Sequence, residues 1–517
     1  MASQSAFVTH PFKQRMLLVT IFLLTTIEFL QAGMFAFAAS PIEGETGTSP
    51  EEFSFMTAAY ACVAIIMIAN QRWIVERTGW RLYVWCSLLV FITGALICAE
   101  SDTYHALLTG RVIMAIGGAS FMTGARVLGN ILPPSPLRFS GIKAFVSGLA
   151  AGTAIAPFLA SEMVTNYTWA GIFYSLIAVA IMTFITASFA LPTETTAEDN
   201  KTQSHPFLLM WLAGGAFTLL WAFQRSNYDF YSDALILGII AVTALSALIY
   251  FFNSMVRFDG SPLLKVNELF RNPRYMAGLA LFSLCYLVLG INNYLIPNVL
   301  QTGMGFNWNT VGHWNALGLS AALAAWVVMS KIMPKRPASK KFFITGFLSL
   351  AAYGAIMYHL PPTADIATDI IPALLCNGIF IMLVMATTAM HTFREVQHNE
   401  TVFSHAQQVK NMSAQLFMAL GTTLATVGMQ WRITVHYGVL NTHVVVADPR
   451  YQLVLQKVSA LYERHVSAAS ANNMALSWIS TAVKQQATLL AGMDFYLVIT
   501  LTGLGGALVM AFQKLMK

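Results

Sequence analysis

The sequence predicts an all-α membrane protein of fourteen transmembrane helices, and three observations predict it. Of its 517 residues, 56% are hydrophobic and only 10% are charged, whereas a soluble domain carries about 25% charge. Fourteen mostly apolar runs of about 18 to 25 residues, the length that crosses a hydrocarbon core of roughly 30 Å, follow one another along the chain. The Lys and Arg between those runs concentrate on alternate sides of the implied membrane.

The runs fall into three groups. The first six, at 16–38, 53–71, 82–99, 105–130, 140–162 and 170–191, make a predicted N-terminal bundle over 1–191. Lys13 and Arg15 precede a run ending Ala36-Phe37-Ala38, the outline of a signal peptide, but its length exceeds an h-region of about 7 to 15 residues, so a retained first span is expected. The polar stretch PTETTAEDNKTQSHP, Pro192 to Pro206, opens a linker with two inserted helices over 192–255, the helices at 206–225 and 233–254. A second break, VRFDGSPLLKVNELFRNPRY, precedes the last six runs at 275–300, 309–330, 341–360, 369–391, 408–431 and 491–513, a predicted C-terminal bundle over 256–517. The basic loops around Arg72, Arg77 and Arg81 and around Lys331 to Lys341 occupy equivalent places in the two sixes, as an internal duplication would leave them.

The charge balance of +6 reports topology. With the N-terminus inside, 21 of the 29 Lys and Arg fall in cytoplasmic segments, Arg111 and Arg126 fall within the fourth span, and Arg225 stands in a short outside loop. The other five lie in one outside loop, 432–490, long enough to escape the rule. Both termini are therefore expected in the cytoplasm, and the basic balance is no argument for nucleic acid. Within that loop, after Asp448-Pro449, Tyr451, Val454, Leu455, Val458, Leu461, Tyr462 and His465 share one helical face. Such a face needs cover, from the protein's own rim, the membrane interface or a partner.

Few residues carry chemistry. Cys62, Cys86, Cys98, Cys285 and Cys376 sit in apolar runs without CxxC or zinc spacing. His391, Glu395, His398 and His405 crowd one cytoplasmic loop but contain no HExxH, and no Walker A, GxGxxG or GxSxG occurs, so no metal, cofactor or enzyme activity is expected. Glu28 is the exception. About twelve residues into its span, it lies roughly 18 Å deep at 1.5 Å per residue, where an ion costs about 2.5 to 3.5 kcal/mol on insertion scales. Arg111 and Arg126, about 22 Å apart on a straight helix, are the buried cations that could answer it. The site is either a proton-exchanging carboxylate or a static pair holding two helices in register. Gln31, Asn292, Asn293, His313 and Asn315 are the other polar groups at cavity depth.

Several stretches resemble a known family. NQRWIVERTGWRLYVW is similar to the major facilitator signature between its second and third helices, with Glu76, Arg77, Gly79 and Arg81 matching, Arg72 where a Gly is usual and Trp80 for one Arg. TGRVIMAIGG keeps the Arg of an Arg-x-x-Gln-Gly motif as Arg111, and GTAIAPFLAS resembles the antiporter signature through Gly152 and Pro157, with Ala156, Ala160 and Ser161 as small substitutes. NYTWAGIF, SPLLKVNELFRN and NMSAQLFMALG fall where the fourteen-helix drug:proton antiporters, EmrB-like proteins, carry comparable stretches. That group usually has an Asp in its first span, and the equivalent position is Ala32, one turn from Glu28. The resemblance implies a major facilitator fold of two six-helix bundles plus two inserted helices, in a bacterial inner membrane. It implies a cytoplasmic gate at Glu76, Arg77, Gly79 and Arg81, and export of small amphipathic compounds against protons, with no cofactor beyond the proton gradient. Lipid and the small-molecule substrate are the implied partners, with a periplasmic adaptor on loop 432–490. Import or facilitated passage of a metabolite is the alternative, and a membrane scaffold or enzyme a remote one.

Overall fold

The computed structural model describes residues 11–132, 136–193, 201–258, 260–332 and 339–515. The charged stretch of the first linker at 194–200, together with Lys335 and Arg336, lies outside them. Helices α1 (Pro11–Phe37), α2 (Ala39–Thr46), α3 (Pro50–Ala99), α4 (Tyr104–Gly118), α5 (Phe121–Ile131), α6 (Pro136–Asn166) and α7 (Gly171–Ala190) come first. The middle of the chain is α8 (Pro206–Arg257), which leads into the short α9 (Val266–Phe270). Then follow α10 (Pro273–Pro297), α11 (Trp308–Ile332), α12 (Ser339–Tyr358), α13 (Ile371–Thr392), α14 (Glu400–Asn441), α15 (Pro449–Tyr462) and α16 (Ala468–Phe512). Thirteen described helices are long and apolar enough to cross a membrane, and α3 holds two of the expected spans, which makes fourteen.

Local chemistry sets the ends and breaks. A capping box starts α3, the Ser49 hydroxyl accepting from the Glu52 amide while the Glu52 carboxylate accepts from the Ser49 amide. Gly79, at φ 77°, divides α3 between its two spans, a backbone setting that glycine alone adopts without strain. Asp233 interrupts α8 likewise between the two inserted spans.

The fourth span departs from expectation. It breaks between α4 and α5, so the straight-helix distance between Arg111 and Arg126 does not apply. Just before the break the Gly117-Gly118 pair packs against α3 so closely that a Cβ on Gly117 would lie 2.4 Å from the Phe91 amide nitrogen. Past it, the Ser120 carbonyl accepts from the Gln71 side chain at 3.1 Å, and the Ser120 and Tyr83 hydroxyls pair, so the broken ladder keeps its bonds.

Packing gathers the helices into two groups. In the first, α1 packs on α6 and α7, and α3 on α4 and α7; in the second, α10 packs on α14, α11 on α13, and α12 on α13 and α16. Two seams join the groups, α6 on α11 and α14 on α3 and α5, and α8 lies against α3 and α14 beside the second seam. Small residues set the first seam, since a Cβ on Gly312 would stand 2.2 Å from the Ser161 hydroxyl. Apolar side chains such as Leu235 and Ile249, 79% and 67% exposed on α8, face the lipid that the bilayer supplies.

The amphipathic face in loop 432–490 is less covered than its pattern requires. It forms α15, capped by Asp448, and packs on the N-terminal extension of α16, yet Val454 and Leu461 remain exposed and Ser459 is its one described buried residue. Both flanking helices run on past their spans, α14 to Asn441 and α16 from Ala468, so the loop is a helical arm.

Candidate functional site

The site begins on α1. Glu28 is 6% exposed and points across the molecular midline, where its Oε1 accepts a hydrogen bond from Gln415 Nε2 of α14 at 3.0 Å. Its Oε2 is buried without a hydrogen-bond partner among the described residues. One turn on, Gln31 donates to the Tyr60 hydroxyl at 3.0 Å and accepts from Arg111 Nη1 at 2.9 Å. The Arg111 guanidinium lies 3.9 Å from the Phe35 ring and 4.3 Å from the Tyr60 ring, a cation held by π faces and one amide. Glu28 and Arg111 thus belong to one buried cluster, with Gln31 rather than Glu28 receiving the guanidinium. Arg126 lies elsewhere, 5.2 Å from the Phe403 ring.

A cavity of about 50 Å³ sits between the two groups beside this cluster. Asn292, Asn293 and Asn315 line it, with Ala32 and Pro157 facing them. Asn292 accepts from the Tyr353 hydroxyl and donates to Asn377, while the Asn315 carbonyl oxygen is buried without a partner among the described residues. Ala32, where the family resemblance places an Asp, therefore lines the cavity wall. Of the other expected cavity groups, Gln31 is taken up by Tyr60 and Arg111. His313 stands at the far end of the α6–α11 seam, 3.0 Å from the Glu162 carboxylate and 39% exposed.

The small residues of α6 work as contacts. A Cβ on Gly152 would come within 2.6 Å of the Thr26 carbonyl, and Ala156 leaves 2.7 Å for one on Gly33, so α6 meets α1 backbone to backbone. Ala160 and Ser161 are fully buried, and Ser161 faces Gly312 with the Pro157 carbonyl beside it.

At the basic end, Glu76 gathers three donors: Arg72 Nε at 2.6 Å and the amide and hydroxyl of Thr202 at 2.7 and 2.8 Å. Arg77 donates to the Trp73 and Thr202 carbonyls, and Arg81 to the Ser188 carbonyl. The ties between the two groups come from other residues. Arg72 Nη2 reaches Thr401 Oγ1 at 3.0 Å, Gln408 Nε2 reaches the Ile68 and Ala69 carbonyls at 2.7 and 3.1 Å, and Asn411 bonds to Thr123. At the other end a groove of about 200 Å³ remains between α3, α8 and α14, walled by Glu51, Tyr104, Trp221 and Thr423.

Two helix groups, a polar midline cavity and a sealed basic end carrying the Glu76–Arg81 motif are the parts of one transporter architecture, and the profile described as Major Facilitator Superfamily matches residues 21–422. The chain belongs to the major facilitator superfamily. It is a multi-pass membrane transporter and not an enzyme. Among its superfamily relatives, the Bacillus subtilis (strain 168) protein named YhcA, an uncharacterized transporter of this type, is 22% identical over 91% of this chain and 87% of its own length. The Klebsiella pneumoniae protein MdtD, whose name describes multidrug resistance, is 26% identical over 50% of this chain, which spans 54% of that relative. Among solved superfamily structures, an inward-facing, unoccupied bacterial homologue of the human lysosomal transporter Spinster superposes at a TM-score of 0.57 with 13% identity, covering 97% of this chain and 98% of its own.

Pattern reading missed three residues of this site. Gln415 and Gln408 are helical glutamines whose partners lie more than 300 residues away. Lys410, counted as a residue of a solvated segment, is 4% exposed inside the bundle. A Lys two residues inside the predicted edge of an apolar run was the available signal.

Proposed function

We propose that this transporter exports small amphipathic compounds across a bacterial inner membrane, termini in the cytoplasm, in exchange for protons, with Glu28 as the exchanging group. One observation carries the reading: a buried carboxylate of the first helix has one oxygen bonded to the opposite helix group and the other unpartnered. Ionised, Glu28 accepts from Gln415 and ties α1 to α14. A proton arriving on the free Oε2 removes the charge that makes this bond strong, and charge-assisted bonds are roughly twice as strong as neutral ones. Loading a proton therefore loosens a contact between the two groups, the kind of differential interaction that a two-state carrier needs. The names of the MdtD relatives support the cargo class.

The test is Glu28→Gln in purified protein. Substrate-induced proton release should disappear while the variant folds and binds; release at the native level would remove Glu28 from the mechanism. The same reading gives the arm a partner, an extracytoplasmic adaptor protein seated on the exposed Val454 and Leu461 face. Deleting 449–466 should abolish adaptor capture and leave transport in inverted vesicles unchanged, and loss of transport in the vesicles would count against it.

A further inference from the structure

Beyond Glu28, the interior holds more positive than negative charge. Arg111, Arg126 and Lys410 are 3%, 8% and 4% exposed, and Glu28 is the acid in the same region between the groups. Glu28 and Arg111 have polar partners in Gln415 and Gln31. Arg126 and Lys410 have neither a hydrogen bond nor an ion pair among the described residues. Each has only an aromatic face, the Phe403 ring 5.2 Å from Arg126 and the Phe282 ring 5.1 Å from Lys410. The two cations stand on helices that pack on one another, Arg126 on α5 and Lys410 on α14. Buried charges are ordinarily paired, because removal from water is repaid only by a counter-charge and hydrogen bonds.

The surroundings say what is missing. Lys410 lines a second cavity whose other walls are apolar, among them Phe145, Phe282, Tyr286, Met382 and Met385. It holds about 20 Å³ in this sealed state, room for a water molecule. It lies just behind the ties of the basic end: Asn411, bonded to Thr123, follows Lys410 directly, and Thr123 is three residues before Arg126. Parting that end would open both cations to the basic side, with the wall of Met and Phe beside Lys410.

We propose that Lys410 and Arg126 are the head-group receptor of the cargo site, so that the cargo is an organic anion with an apolar body, such as an amphipathic carboxylate or sulfonate. The cations supply the counter-charge and the Met and Phe wall takes the tail. The word cargo rests on the transport reading above, but equilibrium binding without a proton gradient does not, so the two can fail separately.

The experiment uses the full-length protein in phosphatidylcholine nanodiscs and three fluorescent probes: 11-(dansylamino)undecanoate, its methyl ester and a trimethylammonium analogue of the same length. The carboxylate should bind at least about tenfold more tightly than the ester, and the ammonium probe most weakly. Lys410→Gln and Arg126→Gln should each bring the carboxylate to within about threefold of the ester, and Lys410→Arg should keep the preference. Equal binding of all three probes, or a preference that survives both Gln substitutions, overturns the assignment. The probe ranking on the native protein decides the matter even where a variant fails to fold. Phosphatidylglycerol in the nanodisc should leave the carboxylate's affinity unchanged, and a loss of about tenfold would give the site to a lipid head group and overturn the cargo reading.

Discussion

Glu28 and Arg111 show how a buried charge is accommodated without a direct ion pair. Each has a glutamine of its own, Gln415 for Glu28 and Gln31 for Arg111, and the Arg111 cation is wedged between two rings. Replacing Gln31 by Leu keeps the side chain's bulk but strips the guanidinium of its acceptor and Tyr60 of its donor. A buried group left unsatisfied costs about 1 to 3 kcal/mol. Gln31→Leu should therefore lower the thermal unfolding temperature in detergent, and an unchanged temperature would show that the ring faces suffice for Arg111. Glu28 was legible in the sequence because a carboxylate twelve residues into an apolar run has no cheap explanation. Gln415 was not, since glutamine is common in helices and its partner lies 387 residues away. Lys410 was misread for a related reason: hydropathy places the edge of a span to within a few residues, and this Lys falls inside that margin.

At the scale of the helices, apolar length was enough to count spans, because lipid forces every crossing segment to satisfy its backbone internally. Breaks within spans were less visible. Gly117-Gly118 reads as small residues suited to helix packing, which it is, and nothing in that pattern marks the break two residues on. A close approach of another helix to α6 was legible through Gly152, Ala156 and Pro157, although the motif did not say that the neighbour is α1. Gly152→Val adds bulk where 2.6 Å separates a would-be Cβ from the Thr26 carbonyl. Overpacking costs about 1 to 3 kcal/mol, so the variant should express poorly and lose transport, whereas a variant as stable as the native protein would mean the helices separate easily. For α15 the periodicity was right, and α16 shields only part of its face.

Across the whole molecule, the basic end is held by bonds from Arg72, Gln408 and Asn411, with Glu76 and Thr202 fixing Arg72 from behind. Hydrogen bonds contribute about 0.5 to 1.5 kcal/mol each, so removing the three that Arg72 makes to Thr401 and Gln408 makes to Ile68 and Ala69 moves a two-state equilibrium by about 1.5 to 4.5 kcal/mol, at least about tenfold. Arg72→Ala with Gln408→Ala should shift the population toward a form open at that end. In a cysteine-free background carrying Met385→Cys, whose side chain lines the cavity beside Lys410, a membrane-impermeant maleimide should then label faster in inverted vesicles. An unchanged rate would place the barrier elsewhere.

The two-helix insertion is fastened at one edge. Gln224 donates to the Ser54 carbonyl at 2.6 Å and Arg225 meets Glu51 at 2.8 Å, both on α3, while α8 also lies against α14. A strut anchored to one half and leaning on the other stands as a fence along that flank, between the seam and the acyl chains. Molecules dissolved in the bilayer meet α8 on that flank before they can meet the seam behind it.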